Sequence, residues 1–177
     1  YMEAARDAGY DLTCKTMTLL GGGGAATAIC VQAALDGLKE IRVFNIKDQF
    51  YGRLEKLTAN ITAKTSCKVT LHDLADEQAL YDSIAASDIL TNGTSVGMAP
   101  NMDACLIKNT DVFRESLIVS DVIYNPEQTK LLKLASEKGC PTFNGLYMLL
   151  YQGAAAFKIW TGQDMPVDII KEKYFTR

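Results

Sequence analysis

The chain has 177 residues, of which 48% are hydrophobic and 22% charged, and carries a net charge of −3. That length supports one domain with a real core, and that balance excludes a disordered chain. The weak negative charge offers no basic field for nucleic acid, and no run of about eighteen apolar residues exists to make a transmembrane helix. Neither nucleic acid nor a membrane is an expected partner.

The N-terminal stretch from Tyr1 to Asp7 has no basic region followed by an apolar one, so no signal peptide is expected there. Position 1 is not Met, which suggests a piece of a longer chain. The five cysteines (Cys14, Cys30, Cys67, Cys105, Cys140) are odd in number, scattered, and form no C-x-x-C pair. They read as buried or incidental thiols in a reducing cytoplasm. The single histidine, His72, cannot build a multi-histidine metal site and reads as structural, so no metal is expected.

Thr16 to Leu20 reads as a first strand, followed at once by Gly21-Gly22-Gly23-Gly24. A helix is predicted from Ala25 to Leu38, with Ala25, Ala28, Ile29 and Ala33 as a small-residue face and Gly37 as its terminator. Ile41 to Phe44 reads as the second strand. The next helix carries Phe50, Leu54, Leu57 and Ile61 on one apolar stripe. Val69 and Leu71 mark a third strand, Leu80 and Ile84 a helix between Asp76 and Ser87, and Ile89 to Thr91 a fourth strand. Leu117 to Ser120 reads as a fifth strand. A helix over about Glu127 to Lys138 follows, with Pro126 in its first turn and Gly139 at its end. Thr142-Phe143 is a short sixth strand, and an apolar helix running to Trp160 reads mostly as core. Strands alternating with helices of this length imply an α/β fold, a doubly wound six-stranded parallel sheet with helices on both faces. Such sheets bind ligands beyond the carboxyl ends of their strands, where the strand order reverses.

Five segments at strand ends could carry chemistry. The glycine run is either a flexible turn or, after the first strand of a βαβ unit, a cradle for a dinucleotide pyrophosphate. Ala26 stands where the strict G-x-G-x-x-G pattern has its last glycine, a permitted substitute. After the second strand, Asn45 takes the place where an acidic residue usually meets the adenosine ribose. Asp48 follows and is either that acceptor or a helix cap. The loop from Thr91 to Met98 is either a plain polar turn or the border of the nicotinamide ribose. Asp121 to Pro126 lies at another strand end, and Asn144 to Ala154 opens the last apolar helix.

Together these segments resemble the shikimate/quinate dehydrogenases. The family patterns are G-A-G-G-[AS], an N-R-x-x turn, N-[AG]-T-x-x-G-M, D-x-x-Y-x-P-x-x-T-x-L-L and G-x-G-M-L-x-x-Q-[GA]-A. Their counterparts here are Gly21 to Ala25, Asn45, Asn92 to Met98, Asp121 to Leu132 and Gly145 to Ala154, in the same order. The resemblance covers the whole chain but only the second half of the family's protein, its Rossmann-like cofactor domain. It implies NAD(P)-dependent, reversible reduction of 3-dehydroshikimate to shikimate, or of 3-dehydroquinate to quinate, in aromatic amino acid biosynthesis.

The family's catalytic Lys–Asp pair belongs to an N-terminal substrate domain whose motifs are absent from this sequence. No catalytic residue is therefore assigned here, and the chain alone is expected to be inactive. By this resemblance residues 1–14 are a linker helix, 15–144 the cofactor domain, and 145–177 the helices that face the substrate domain. The full-length protein is compatible with a homodimer. A non-catalytic dinucleotide-binding module is the alternative.

Carried over by motif, Gly22, Gly23, Gly24 and Ala25 match the pyrophosphate loop, and Asn45, Lys47 and Asp48 the adenosine-ribose turn. Asn92, Gly93 and Thr94 match the cleft loop, and Val122, Ile123, Tyr124 and Asn125 the nicotinamide side. Met148 matches a residue packed near the nicotinamide, while Tyr124 and Gln152 match substrate-side positions. Two departures stand out. Ile46 replaces the usual Arg, which favours NAD over NADP, and Tyr147 replaces a Gly whose backbone carbonyl usually meets the nicotinamide, so its ring either leans into the cleft and reshapes it or points away and is harmless.

Overall fold

The strand Thr16–Leu20 (β1) is buried at every position, as its run of apolar and threonine residues requires. A computed structural model describes residues 1–175. β1 pairs in parallel with Glu40–Asn45 (β2) on one side and Ile89–Asn92 (β4) on the other. Lys68–Asp73 (β3), Ile118–Asp121 (β5) and Thr142–Phe143 (β6) complete a parallel sheet of order β3-β2-β1-β4-β5-β6. That is the expected doubly wound fold, with its reversal of strand order between β1 and β4.

Helices cover both faces. Gly24–Leu35 (α2) and Tyr51–Lys64 (α3) pack on one face, where Ile29, Ala33, Leu54 and Ile61 join Met17, Leu19 and Val43 in one apolar cluster. Glu77–Ala85 (α4) and Lys130–Glu137 (α5) cover the other, with Leu80, Ile84, Leu131 and Ala135 against Leu20, Phe44 and Val119. The short N-terminal helix Met2–Asp7 (α1) contributes Met2 and Ala5 to the first cluster. Ahead of it, the Tyr1 hydroxyl reaches Thr91 Oγ1 at 2.7 Å and Ser120 Oγ at 2.9 Å. Burial pushes that phenol up to about 12. The only hydroxyl in the middle of β1, Thr18, is paired with Ser83 Oγ at 2.7 Å and Ser87 Oγ at 2.8 Å, so it buries no unpaired polar atom.

Several local expectations shift. The buried face of α2 is Ala26, Ile29, Cys30, Ala33 and Ala34, while Ala25 and Ala28 face solvent. Phe50 leaves the α3 stripe and is exposed, with Thr58 taking a buried place beside Leu54 and Ile61. Pro126 lies outside α5, which starts after Thr129, whose hydroxyl caps it. The largest correction concerns Leu146–Thr161 (α6). Only Leu150 is buried along it, and Ile159 and Trp160 are each 81% exposed. An apolar helix predicts burial but cannot say what it is buried against, and nothing among the described residues covers this face. Val167–Tyr174 (α7) packs on the other side of α6, joined there by Tyr147, which stacks on Phe175 at 6.0 Å.

The junction between β5 and α6 sets a tight limit. A Cβ on Gly145 would sit 1.9 Å from the Val122 carbonyl oxygen, whereas one on Gly153, in the middle of α6, would meet nothing within 4 Å. Gly145→Ala should therefore cost about 3 kcal/mol or more in urea unfolding, because backbone must move. Gly153→Ala should stabilise by about 0.5–1 kcal/mol, because it only reduces the entropy lost in forming the helix.

Candidate functional site

Beyond the carboxyl ends of β1, β2, β4 and β5 lie two adjoining cavities that share Gly24. One, of about 450 Å³, is lined by Gly22, Gly23, Gly24, Asn45 and Asp48. The other, of about 560 Å³, is lined by Gly24, Ala25, Gly93 and Thr94 and by Val122 to Asn125. The glycine turn separates them.

The turn is shaped by backbone geometry. Gly21 has φ +102°, and a Cβ there would come within 2.8 Å of Thr94 Cγ2, so both conformation and closeness demand glycine. Gly23 is the N-cap of α2 with no side-chain cap, and the first turn of α2 has no acidic residue. The free N–H groups and the positive end of the helix dipole thus face the boundary between the cavities, a setting that attracts an anion.

On the β2 side, Asn45 Nδ2 donates to the Ile46 carbonyl at 2.9 Å. Asp48 Oδ1 accepts from the Phe50 N–H at 2.8 Å, so it does stabilise the entry to α3, while still lining the cavity. Lys47 points elsewhere, pairing with Asp73 at 3.2 Å, and Ile46 is 58% exposed. Sequence reasoning missed Phe50 and Arg53, which line this cavity from the start of α3. Phe50 fits an i, i+4 stripe with Leu54, which suggests only a helix face. Its place immediately before the helix, next to Asp48, was the available signal.

On the β4–β5 side the wall is two loops. Gly93 N donates to the Leu20 carbonyl at 2.8 Å, which closes the first loop onto β1. Asn92 is buried beneath that loop rather than lining it, and Tyr124 is 48% exposed on the rim. Ser95 and Met98, within the loop expected from Thr91 to Met98, also line this cavity, as does Ala99 just beyond it.

Met148, Tyr147 and Gln152 line neither cavity. Met148 packs against the core cluster under α6, and Gln152 is exposed on the open face of that helix. The ring of Tyr147 points away from the cleft. The backbone there is helical, and the ring stacks on Phe175 with Lys171 Nζ 5.2 Å from the ring centre, away from the cavity lined by Gly93 and Thr94. The helical phase turns position 147 toward α7. His72 stacks on Phe44 at 4.9 Å and bonds Thr70 Oγ1 at 2.9 Å, and burial lowers its pKa. No group of His, Cys, Asp or Glu among the described residues is arranged to hold a metal. No described helix is long and apolar enough to cross a membrane.

The family model of the shikimate 5'-dehydrogenase C-terminal domain matches residues 145–173, which cover α6 and α7. The chain is 54% identical over 175 residues to a curated shikimate dehydrogenase (NADP(+)) of Listeria monocytogenes, covering 99% of this chain and 60% of that protein. Among solved structures, shikimate 5-dehydrogenase from Listeria monocytogenes in complex with shikimate and NAD aligns with a TM-score of 0.92 at 55% identity, over 97% of this chain and 60% of that one. The ligand-free 5-ketofructose reductase of a Gluconobacter species aligns with a TM-score of 0.76 at 30% identity, over 96% and 58%. The chain thus spans about three-fifths of the length of these relatives. Along its length and in its fold the chain is thus similar to shikimate dehydrogenases, and it carries a stretch that matches their C-terminal domain.

Proposed function

We propose that the two cavities hold one NAD(P) molecule, and that the chain is the cofactor-binding part of a dehydrogenase acting reversibly on shikimate or quinate. The observation that carries this reading is the uncapped start of α2, behind a glycine turn, at the boundary of two cavities on the switch point of the sheet. The pyrophosphate sits on the N–H groups there. The adenosine occupies the side with Asn45 and Asp48, and the nicotinamide the side with Val122 to Asn125.

The substrate lies above Tyr124 and Gln152, held by a further part of the enzyme that covers the open face of α6. Leu149, Ile159 and Trp160 are the apolar residues exposed along that face. No Lys–Asp pair lines the nicotinamide-side cavity, so hydride transfer waits on groups from that further part. Calorimetric titration of this chain with NAD should give saturable binding at one site, with no oxidation of shikimate by the chain alone. Absence of binding, or turnover by the pure chain, contradicts the reading.

NAD is the favoured cofactor. Ile46 offers no charge to a ribose 2′-phosphate, Lys47 is engaged by Asp73, and Asp48 suits a free 2′-hydroxyl. Arg53 on the same cavity works in the other direction, so the preference is modest. Ile46→Arg should tighten NADP about tenfold and NAD much less, since a charge-assisted bond is worth roughly 1.5–3 kcal/mol. Tyr147→Ala, by contrast, should leave the affinity for NAD within twofold. It should lower stability by about 1 kcal/mol, through the lost stacking on Phe175 and contact with Lys171.

A further inference from the structure

Asp121 ends β5 directly opposite Asn92, its partner across the β4–β5 ladder, and both side chains are 2% exposed. Asp121 Oδ1 accepts from Asn92 Nδ2 at 3.0 Å and from the Ile123 N–H at 3.0 Å. Its Oδ2 accepts from Thr129 Oγ1 at 2.7 Å. These partners are neutral donors, so the geometry is that of a carboxylate without a counter-ion. Burial raises its pKa, and the three hydrogen bonds oppose that shift.

The network continues through Asn92. Its Nδ2 also donates to the Val96 carbonyl at 3.1 Å, and its Oδ1 accepts from Thr94 N at 3.1 Å and Thr94 Oγ1 at 2.7 Å. Thr94 Oγ1 in turn accepts from Val96 N at 3.1 Å. Two loops, one after β4 and one after β5, therefore converge on a single buried carboxylate, and α5 is fastened to it by Thr129. Those two loops are the wall of the nicotinamide-side cavity.

We propose that Asp121 is a positioning residue for that end of the cleft: it touches no ligand and sets the spacing of the two loops that do. This rests on the dinucleotide reading given above. Alanine in its place leaves the Asn92 amide, the Ile123 N–H and the Thr129 hydroxyl without their shared acceptor, whereas asparagine can keep Oδ1 on Asn92 and Ile123 and turn its amide to Thr129, whose hydroxyl also accepts. The adenosine-side cavity shares no residue with this network, so damage should be confined to one end of the ligand.

The test compares NAD, NADH and ADP-ribose, the last of which lacks the nicotinamide. Asp121→Ala should weaken NAD and NADH at least tenfold while ADP-ribose changes less than threefold. A general loss of structure would weaken all three alike and would overturn the proposal, as would unchanged NAD binding. A loss for NAD but not for NADH would also overturn it, since that pattern means attraction to the charged ring rather than positioning. If Asp121→Ala does not fold, Thr129→Val should show the same selectivity in smaller degree, and Thr129→Ser should restore wild-type binding. Equal effects of the valine variant on all three ligands would overturn the proposal. Wild-type protein that binds none of the three would overturn the dinucleotide reading itself, and with it the proposal.

Discussion

β1 has a strand on each side and a layer of helices on each face, and everything else is arranged around that constraint. The chain leaves it through α2 to reach β2 on one side, and β4 arrives on the other side after the chain has crossed the sheet. Right-handed connections send α2 and α3 over one face and α4 and α5 over the other. No helix can then cover the carboxyl ends of β1 and β4, because the connections diverge there. The cleft is a consequence of the strand order, and the glycine turn sits in it because it is the first segment after β1.

Polar groups near this sheet are few and paired. Among the described residues no buried side-chain nitrogen or oxygen lacks a hydrogen-bond partner. Thr18 is matched to Ser83 and Ser87 under α4, and Tyr1 to Thr91 and Ser120 at the other face. Asp121 differs in kind: a buried carboxyl whose hydrogen-bond partners are all neutral. Such a group is costly to hold, and its retention at the end of β5 makes sense where it fixes the shape of a binding wall more than where it adds stability.

The strands and the glycine turn were legible in the sequence because period and punctuation act locally. Val69 and Leu71, for example, fall within β3, and the Gly37 and Gly139 helix stops both have positive φ. Helix phase was less legible. The one-residue shift that exposes Ala25 and Ala28, and the rotation that takes Tyr147 to α7, depend on how each helix sits on the sheet. α6 differs for another reason: its apolar residues form a face that no described residue covers, and composition does not distinguish such a face from a core. Phe50 and Arg53 escaped because a cavity lined from a helix start is formed by tertiary placement, and their spacing alone suggests only a helix face. The Asp121 network depends on the register that sets Asn92 opposite it, which no local pattern reveals.

The central claim is that one extended ligand spans both cavities across the glycine turn. A crystal structure of the chain with NAD bound tests it most directly. The account predicts the pyrophosphate against the N–H groups of Gly23 to Ala25, the adenosine beside Asn45 and Asp48, and the nicotinamide between the Gly93–Thr94 and Val122–Asn125 loops. NAD bound elsewhere, or lying across the turn in the opposite direction, would contradict it.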